Sequence, residues 1–588
     1  MKARKKNKKR IVILCIVIFA AAFFVGKPLY DAYFPSFAHA DRLKMFGLSP
    51  AHPDEAAVLL GDKLSGLKAR VVDGQAYLAI ADVQTLESDR FYASAEDRVL
   101  LFTNADQIVR AESGQSSYTL HAEQFGSASP APQTVKTDCP PLRIIDGTPF
   151  VSLEFMQDFS TASYELYPDP WRVRIETEKR SVSEASLLKS DTLRNDASIK
   201  GAIVEALPSG ETLTVLKKGA DWTSVATKDG LFGYVQTARL SAPSKREIAP
   251  VSQYVDPPYT DLVSDNKICL VWDQILSQAN NANILQLLDD GGATPVDVVS
   301  PTWFSVADSS GALKGLASKA YVDALHARGI KVWALVSDFT SGLDRHTLLS
   351  REGNRRAFIT GMIAASEEYG FDGINLDFEN VPQDDGAQFS QLLRELSVAC
   401  RQAGLVFSVD NYVPRAHTEH YNRTLQGEIA DYVVIMGYDE HYGPAAGAGS
   451  VASIGFVEDG IQRTLKEAPA RKTINAVPLY TRIWQTAPDG SLTATAVGQQ
   501  SQNDWIAQRR LTPTWDETTG QNYVEYHHGG YTWQIWLEDA ASQQQRVDVM
   551  KKYGLGGIAA WRLGFETPDI WPVIAGYTNP RAEIAPLG

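Results

Sequence analysis

The sequence predicts a multidomain chain. Its C-terminal half is an α/β (β/α)8 barrel with a small β-rich insertion, preceded by a small β-barrel and a β-rich α+β N-terminal domain. Three observations predict this. After residue 255, short continuous apolar runs alternate with helical patterns, as in parallel strands buried on both faces. One of those runs, Phe371 to Asn380, ends in acid. Before residue 245 the texture differs: brief alternating strands are punctuated by Gly turns.

The eight expected barrel strands are 268–272, 296–300, 331–336, the acidic run from 371, then 405–409, 432–436, 473–477 and 557–561. Helices fall between them. Phe389, Leu392, Leu393, Leu396 and Cys400 recur at helical spacing before a stop at Gly404. Phe358, Met362, Ala365 and Tyr369 do the same before the fourth strand. Strand–helix repetition of this kind implies a barrel whose active site lies at the C-terminal strand ends. The interval between strands seven and eight exceeds one loop and one helix, so residues about 485–535, rich in Trp and Tyr, are expected to form the insertion. Its aromatics are expected mostly in a small core of its own, with a wall of a sugar groove as the alternative.

The acidic strand carries the chemistry. Side chains on a strand alternate faces. Asn375, Asp377 and Glu379 share one face, and Ile374, Leu376 and Phe378 the other. Burying three polar groups in a row is costly without partners. Two carboxyls at a strand end suit acid catalysis.

The remaining segments set the address and the domain limits. Residues 2–10 are almost wholly basic, and Ile11 to Val25 are unbroken apolar. This predicts a cytoplasmic tail and single N-terminal membrane anchor within residues 1–40, the bulk of the chain being extracytoplasmic, with a cleaved signal and secretion as the alternative. A net charge of −14 argues against nucleic acid. The four cysteines (Cys15, Cys139, Cys269 and Cys400) and the His417–His420 pair have no metal-ligand or disulfide spacing, so no cofactor or metal is expected. Residues 41–190 contain an internal echo: Arg70 to Leu78 and Arg143 to Val151 each place an Asp-Gly turn between apolar runs, a hairpin signature. Residues 191–245 read as a small barrel ending in a linker from Ala242, with Trp222 expected in its core.

These motifs resemble known families. Asp372-Gly373-Ile374-Asn375-Leu376-Asp377-Phe378-Glu379 is similar to the Asp-x-x-Asp-x-Asp-x-Glu signature of family 18 glycoside hydrolases, with Asn375 where many chitinases have Asp. Met436-Gly437-Tyr438-Asp439 resembles the family's Met-x-Tyr-Asp motif, and Trp561 its floor tryptophan. Glu379-Asn380-Val381 and Trp561-Arg562-Leu563-Gly564 resemble the branch of spore-cortex N-acetylglucosaminidases. The twin hairpins resemble the N-terminal stalk domain of copper amine oxidases, without its copper. Trp222-x-x-Val225 and Gly233-Tyr234-Val235 resemble a bacterial SH3-like domain.

The resemblance implies retaining, substrate-assisted hydrolysis of β-1,4 bonds next to N-acetylglucosamine, in peptidoglycan or a chitin-like polymer. It implies Glu379 as acid, Asp377 as orienter of the acetamido group and Tyr438 as its hydrogen-bond donor. Asn375, Met436, Asp439, Trp561, Trp303, Asn411, Tyr480 and Arg482 are the candidate substrate-binding residues, with Asn375 expected to hydrogen-bond Asp377. A non-catalytic cell-wall glycan-binding scaffold is the alternative. Glu379, which such scaffolds lose, is present.

Overall fold

The computed structural model describes residues 33–578, apart from 124, 127 and 128. The chain forms two compact units. Among the described residues, one comprises 33–100, 111–118 and 136–255, and the other 101–110, 119–135 and 256–578.

The second unit is built on a closed barrel of eight parallel strands: Ile268–Asp273, Val298–Pro301, Lys331–Ser337, Gly373–Asp377, Val406–Tyr412, Tyr432–Met436, Thr473–Pro478 and Gly557–Trp561. Each pairs with the next, and the eighth closes on the first with Ile268 opposite Gly557. Closure leaves no strand edge unpaired. Leu270, Trp272, Leu335, Val434, Ile474 and Ala559 fill the interior, as side chains fill a barrel of this size. The outward residues of the fourth strand meet helices: Phe378 lies 5.6 Å from Phe358 and 6.3 Å from Phe389, ring centre to ring centre.

Those helices are Glu352–Tyr369 and Gly386–Ala403. Both stop at glycines in left-handed conformation, Gly370 at φ 78° and Gly404 at φ 67°, where a side chain would be strained. The second helix is buried on more than its apolar face. Gln391, Arg394 and Glu395 are buried too. Residues 101–110 contribute to this covering: Gln391 Nε2 donates to Thr103 Oγ1 at 3.1 Å, and Arg401 Nε to the Ala105 carbonyl at 2.8 Å.

The insertion after strand seven is a five-stranded sheet that begins at Tyr480, earlier than expected, and ends at Trp536. The helix Gln499–Arg509 lies within it, and Ile506, Val524, Ile535 and Leu537 form its core. Trp505 packs at the edge of that core.

In the first unit both Asp-Gly pairs turn hairpins. Asp73 and Gly74 sit at φ 54° and 78°, Asp146 and Gly147 at φ 50° and 79°, the two left-handed residues that a tight hairpin of right twist requires. The hairpins meet through Gln75–Ala79 and Thr148–Ser152 in one seven-stranded sheet. A second seven-stranded sheet covers residues 180–248. The expected linker is instead a strand, Ser244–Ile248, paired with Arg180–Ser186, its exposed polar run Ser-Lys-Arg-Glu suiting a sheet edge. The core takes Leu193, Val204, Leu213, Val225 and Val235. Trp222 is not part of it: with Tyr234 it lies on the opposite strand faces, half-exposed.

The expected membrane anchor requires correction. Among the described residues no helix is long and apolar enough to cross a membrane. The apolar run Ile11 to Val25 itself lies outside the described residues.

Candidate active site

The site is assembled at the C-terminal ends of the barrel strands. Strand four delivers Asp377 as its last residue, and Glu379 follows in the loop. Strand five delivers Asp410 and Tyr412, strand six Met436 and then Tyr438 and Asp439, strand seven Tyr480 and strand eight Trp561. These eight side chains and Glu379 line a cleft of about 230 Å³ together with Trp272, Leu335 and Phe339. Trp561 leans on Trp272 with ring centres 5.9 Å apart. Tyr438 meets Tyr480 edge to face at 6.3 Å. Gly437 allows strand six to reach the cleft, since a Cβ there would lie 2.8 Å from the Ala476 carbonyl.

Three of the four carboxyls that line the cleft, Asp377, Glu379 and Asp410, have a proton affinity raised by burial. Asp377 is pushed well above the ordinary carboxylate range by desolvation, then by the charges of Glu379, Asp410 and Asp338. Its Oδ1 is buried without a hydrogen-bond partner. Asp410 is raised to about 8, again chiefly by burial. Glu379, half-buried, is raised by desolvation, while a hydrogen bond with Tyr412 acts the other way. The three neighbouring carboxyls titrate as a set, and Asp410, raised to about 8, keeps a proton in it near neutral pH. Such a cluster can donate a proton to a ligand oxygen. The Tyr438 phenol, raised well above 10 by burial and these neighbours, stays protonated and can donate as well.

Asn375 is placed one layer lower than expected. It is fully buried beneath the cleft and does not bond Asp377. Its Oδ1 accepts from Trp272 Nε1 and Ser300 Oγ, each at 2.9 Å. Its Nδ2 donates to Ser408 Oγ at 3.1 Å and Asp410 Oδ1 at 2.8 Å. With donors on one side and acceptors on the other, the amide has a fixed orientation. It ties strands one, two and five beneath the acids.

Three other candidates are also placed elsewhere. Trp303 is buried away from the cleft, with Nε1 donating to Asn281 Oδ1 at 2.8 Å and its ring edge-on to Tyr321. Asn411 faces the outer helix layer and exchanges amide hydrogen bonds with Gln426 at 2.6 and 3.1 Å. Strand alternation gives the reason: if Asn411 points out, Asp410 and Tyr412 point in. That same alternation in Ser408-Val409-Asp410-Asn411-Tyr412 was the signal available for the two missed residues. Arg482 stands behind the cleft and donates to Asp439 Oδ1 at 3.1 Å, beside the 2.6 Å bond from the Tyr480 hydroxyl. Among the described residues no group of His, Cys, Asp and Glu could hold a metal ion.

Parts of the chain are similar to known proteins. Residues 314–566 match the description of the glycosyl hydrolases family 18, and residues 189–241 that of the bacterial SH3 domain. The chain is 27% identical over 261 residues to the uncharacterized glycosylase YvbX of Bacillus subtilis, covering 42% of this chain and 74% of that one. It is 30% identical over 243 residues to the cortical fragment-lytic enzyme of Bacillus subtilis, covering 40% of this chain and 56% of that one, so it spans about half of that relative's length. Among solved structures it is similar to the Bacillus megaterium spore cortex-lytic enzyme SleL, with a TM-score of 0.48 and 21% identity over 57% of this chain and 77% of that one. It is also similar to a Chromobacterium violaceum chitinase, with a TM-score of 0.46 and 24% identity over 52% of this chain and 98% of that one. The barrel is therefore a family 18 glycosyl hydrolase domain, carried on the same chain as a bacterial SH3 domain.

Proposed function

We propose that the chain hydrolyses β-1,4 glycosidic bonds next to N-acetylglucosamine in peptidoglycan, with retention of configuration. The observation that carries this reading is the buried, unpartnered Asp377 Oδ1 in a cleft that also holds Glu379, Tyr438 and Trp561. A lone acceptor at that depth is complemented by an N–H donor from a ligand, and the acetamido group of the sugar carries one.

In the proposed reaction the sugar ring stacks on Trp561. Asp377 accepts from the acetamido N–H, and Tyr438 donates to the acetamido oxygen. Glu379 protonates the glycosidic oxygen as the acetamido oxygen attacks the anomeric carbon, and the leaving chain departs with that proton. Water then opens the cyclic intermediate, with Glu379 taking the proton back. Family 18 chemistry uses the substrate as its own nucleophile in this way. Developing positive charge on the intermediate favours the ionised form of Asp377, which the empty cleft disfavours. Met436 and the Asp439–Tyr480 pair complete the wall around the sugar.

Peptidoglycan is favoured over chitin by two considerations. Cortical lytic enzymes are among the relatives. The half-exposed Trp222 and Tyr234 of the SH3 domain leave aromatic surface available to a wall glycan or peptide. The N-terminal domain, read as copper-amine-oxidase-like, is proposed as a spacer.

The test measures reducing ends released from purified sacculi by the wild type and by Glu379→Gln. Loss of the acid is expected to cost about 10²–10⁴-fold in kcat while binding to sacculi persists. Equal turnover by the two proteins would end the assignment. Sacculus binding without turnover by either would replace it with the scaffold reading.

A further inference from the structure

Asp338 follows the third strand and is fully buried, yet it is not among the cleft-lining residues. Its carboxylate accepts the backbone N–H of Glu379 at 3.0 Å and that of Asn380 at 3.1 Å. It also accepts from the Asn380 side chain at 3.3 Å. Arg345 donates to the same carboxylate through Nε at 2.6 Å and to the Asp338 carbonyl through Nη2. One anion thus fixes two consecutive peptide groups of the segment that carries Glu379. A single cation, itself locked to the Asp338 main chain, holds that anion in place.

We propose that Asp338 is a positioning residue for Glu379, holding its backbone at the cleft and setting a buried negative charge beside its carboxyl. The inference rests on Glu379 being the acid. The geometric part is direct. Strand four ends at Asp377, so the peptide of Glu379 has no ladder partner and its N–H would otherwise be unsatisfied. Charge-assisted bonds from a carboxylate to two adjacent N–H groups are strong and directional. They leave the Glu379 side chain little freedom to swing out of the cleft.

The electrostatic part follows from the neighbours of Glu379. Asp377 lies on its own strand. Asp410 and Tyr412 face it from strand five, with Tyr421 behind them. Tyr438 and Asp439 face it from strand six and Tyr480 from strand seven. Arg345 is the cation bound to the Asp338 anion. Burial raises the proton affinity of Glu379 most and the Tyr412 hydrogen bond lowers it, while Asp338 and then Asp439 add to the rise. Asp439 is exposed and engaged by Tyr480 and Arg482, whereas Asp338 is buried, so its field is less screened.

The test is the pH dependence of kcat/KM on soluble glycan strands from peptidoglycan, for the full-length protein. Asp338→Asn keeps the shape but removes the charge and turns a donor toward one of the two N–H groups. It is expected to lower kcat about 10–100-fold with KM within about threefold, and to move the alkaline limb to lower pH by about half a unit or more. Asp338→Glu keeps the charge but displaces the loop, and is expected to lower kcat with the limb in place. Arg345→Met leaves the anion unneutralised and is expected to move the limb upward, which serves if Asp338→Asn fails to fold. A uniform loss of rate with no movement of the limb in either Asp338→Asn or Arg345→Met would overturn the electrostatic role. Wild-type kcat in Asp338→Asn would overturn the whole proposal. An active Glu379→Gln would instead sink the assignment of the acid.

Discussion

Replacing Asp410 by Asn is expected to stabilise the barrel, and more so as the pH rises. Asp410 is almost wholly buried, and its carboxyl titrates at about 8 in the fold against the ordinary 3.8. The folded chain therefore binds a proton between those values that the unfolded chain releases. A group with a raised affinity contributes stability that is complete below the unfolded value and is lost as pH climbs through the folded one. The loss runs at about 1.4 kcal/mol per pH unit, which sets a ceiling of about 5–6 kcal/mol across the window. Asp377 and Glu379 share the cluster's protons, and the expected difference at pH 8 is about 2–3 kcal/mol. The amide of Asn at 410 still offers an oxygen to Asn375 Nδ2, so the layer beneath the cleft keeps its bond. The assay is thermal unfolding at pH 5 and pH 8, followed by tryptophan fluorescence. At pH 8 the variant should melt about 5 °C above the wild type, and at pH 5 the gap should shrink to about 2 °C or less. A variant that melts below the wild type by the same amount at both values would refute the argument. The hydrogen bonds of Asp410 would then outweigh the cost of burying its charge.

Other changes probe the scaffold and the rim. Gly437→Ala drives a methyl to 2.8 Å from the Ala476 carbonyl and should cost about 1–3 kcal/mol in urea unfolding while lowering activity, because the end of strand six must shift. Arg355→Met strands Glu395, whose carboxylate now receives Arg355 Nη2 at 2.9 Å, inside the helix layer. It should cost about 3–5 kcal/mol, and the double variant Arg355→Met with Glu395→Met should recover most of that loss. Tyr480→Phe removes the 2.6 Å hydroxyl bond that orients Asp439. It should raise KM about fivefold with kcat within about twofold, measured on soluble glycan strands.

How much of this was legible beforehand depends on whether a feature is local. The eight barrel strands stand out because their apolar runs are continuous, and two Asp-Gly pairs announce their hairpins through the left-handed backbone that they tolerate. The acid pair Asp377 and Glu379 was readable because period-two alternation is a property of a single strand. Asp410 and Tyr412 obeyed the same rule on strand five, but choosing which of Asp410 and Asn411 points inward needs a phase, and only the closed sheet supplies one. Trp222 shows the opposite failure: an aromatic residue in a small barrel reads as core, yet the fold filled that core with Leu and Val side chains and Phe46 instead.

The sequence by itself determined the barrel and the acids at the end of its fourth strand, and its resemblance to a known family named Tyr438 and Trp561 beside them. The barrel and the acids follow from spacing along the chain, and spacing is fixed by covalent geometry. The tertiary structure alone decided that Asn375 serves as a strut beneath the acids, that a third carboxyl joins them, and that Asp338 grips the peptide of Glu379. It also decided that Gln391 and Arg401 bond Thr103 and Ala105 of the segment 101–110. Each of these depends on which groups meet across large sequence separations. A buried donor or acceptor takes whatever partner the closed barrel brings within about 3 Å, and nothing in the local pattern names that partner.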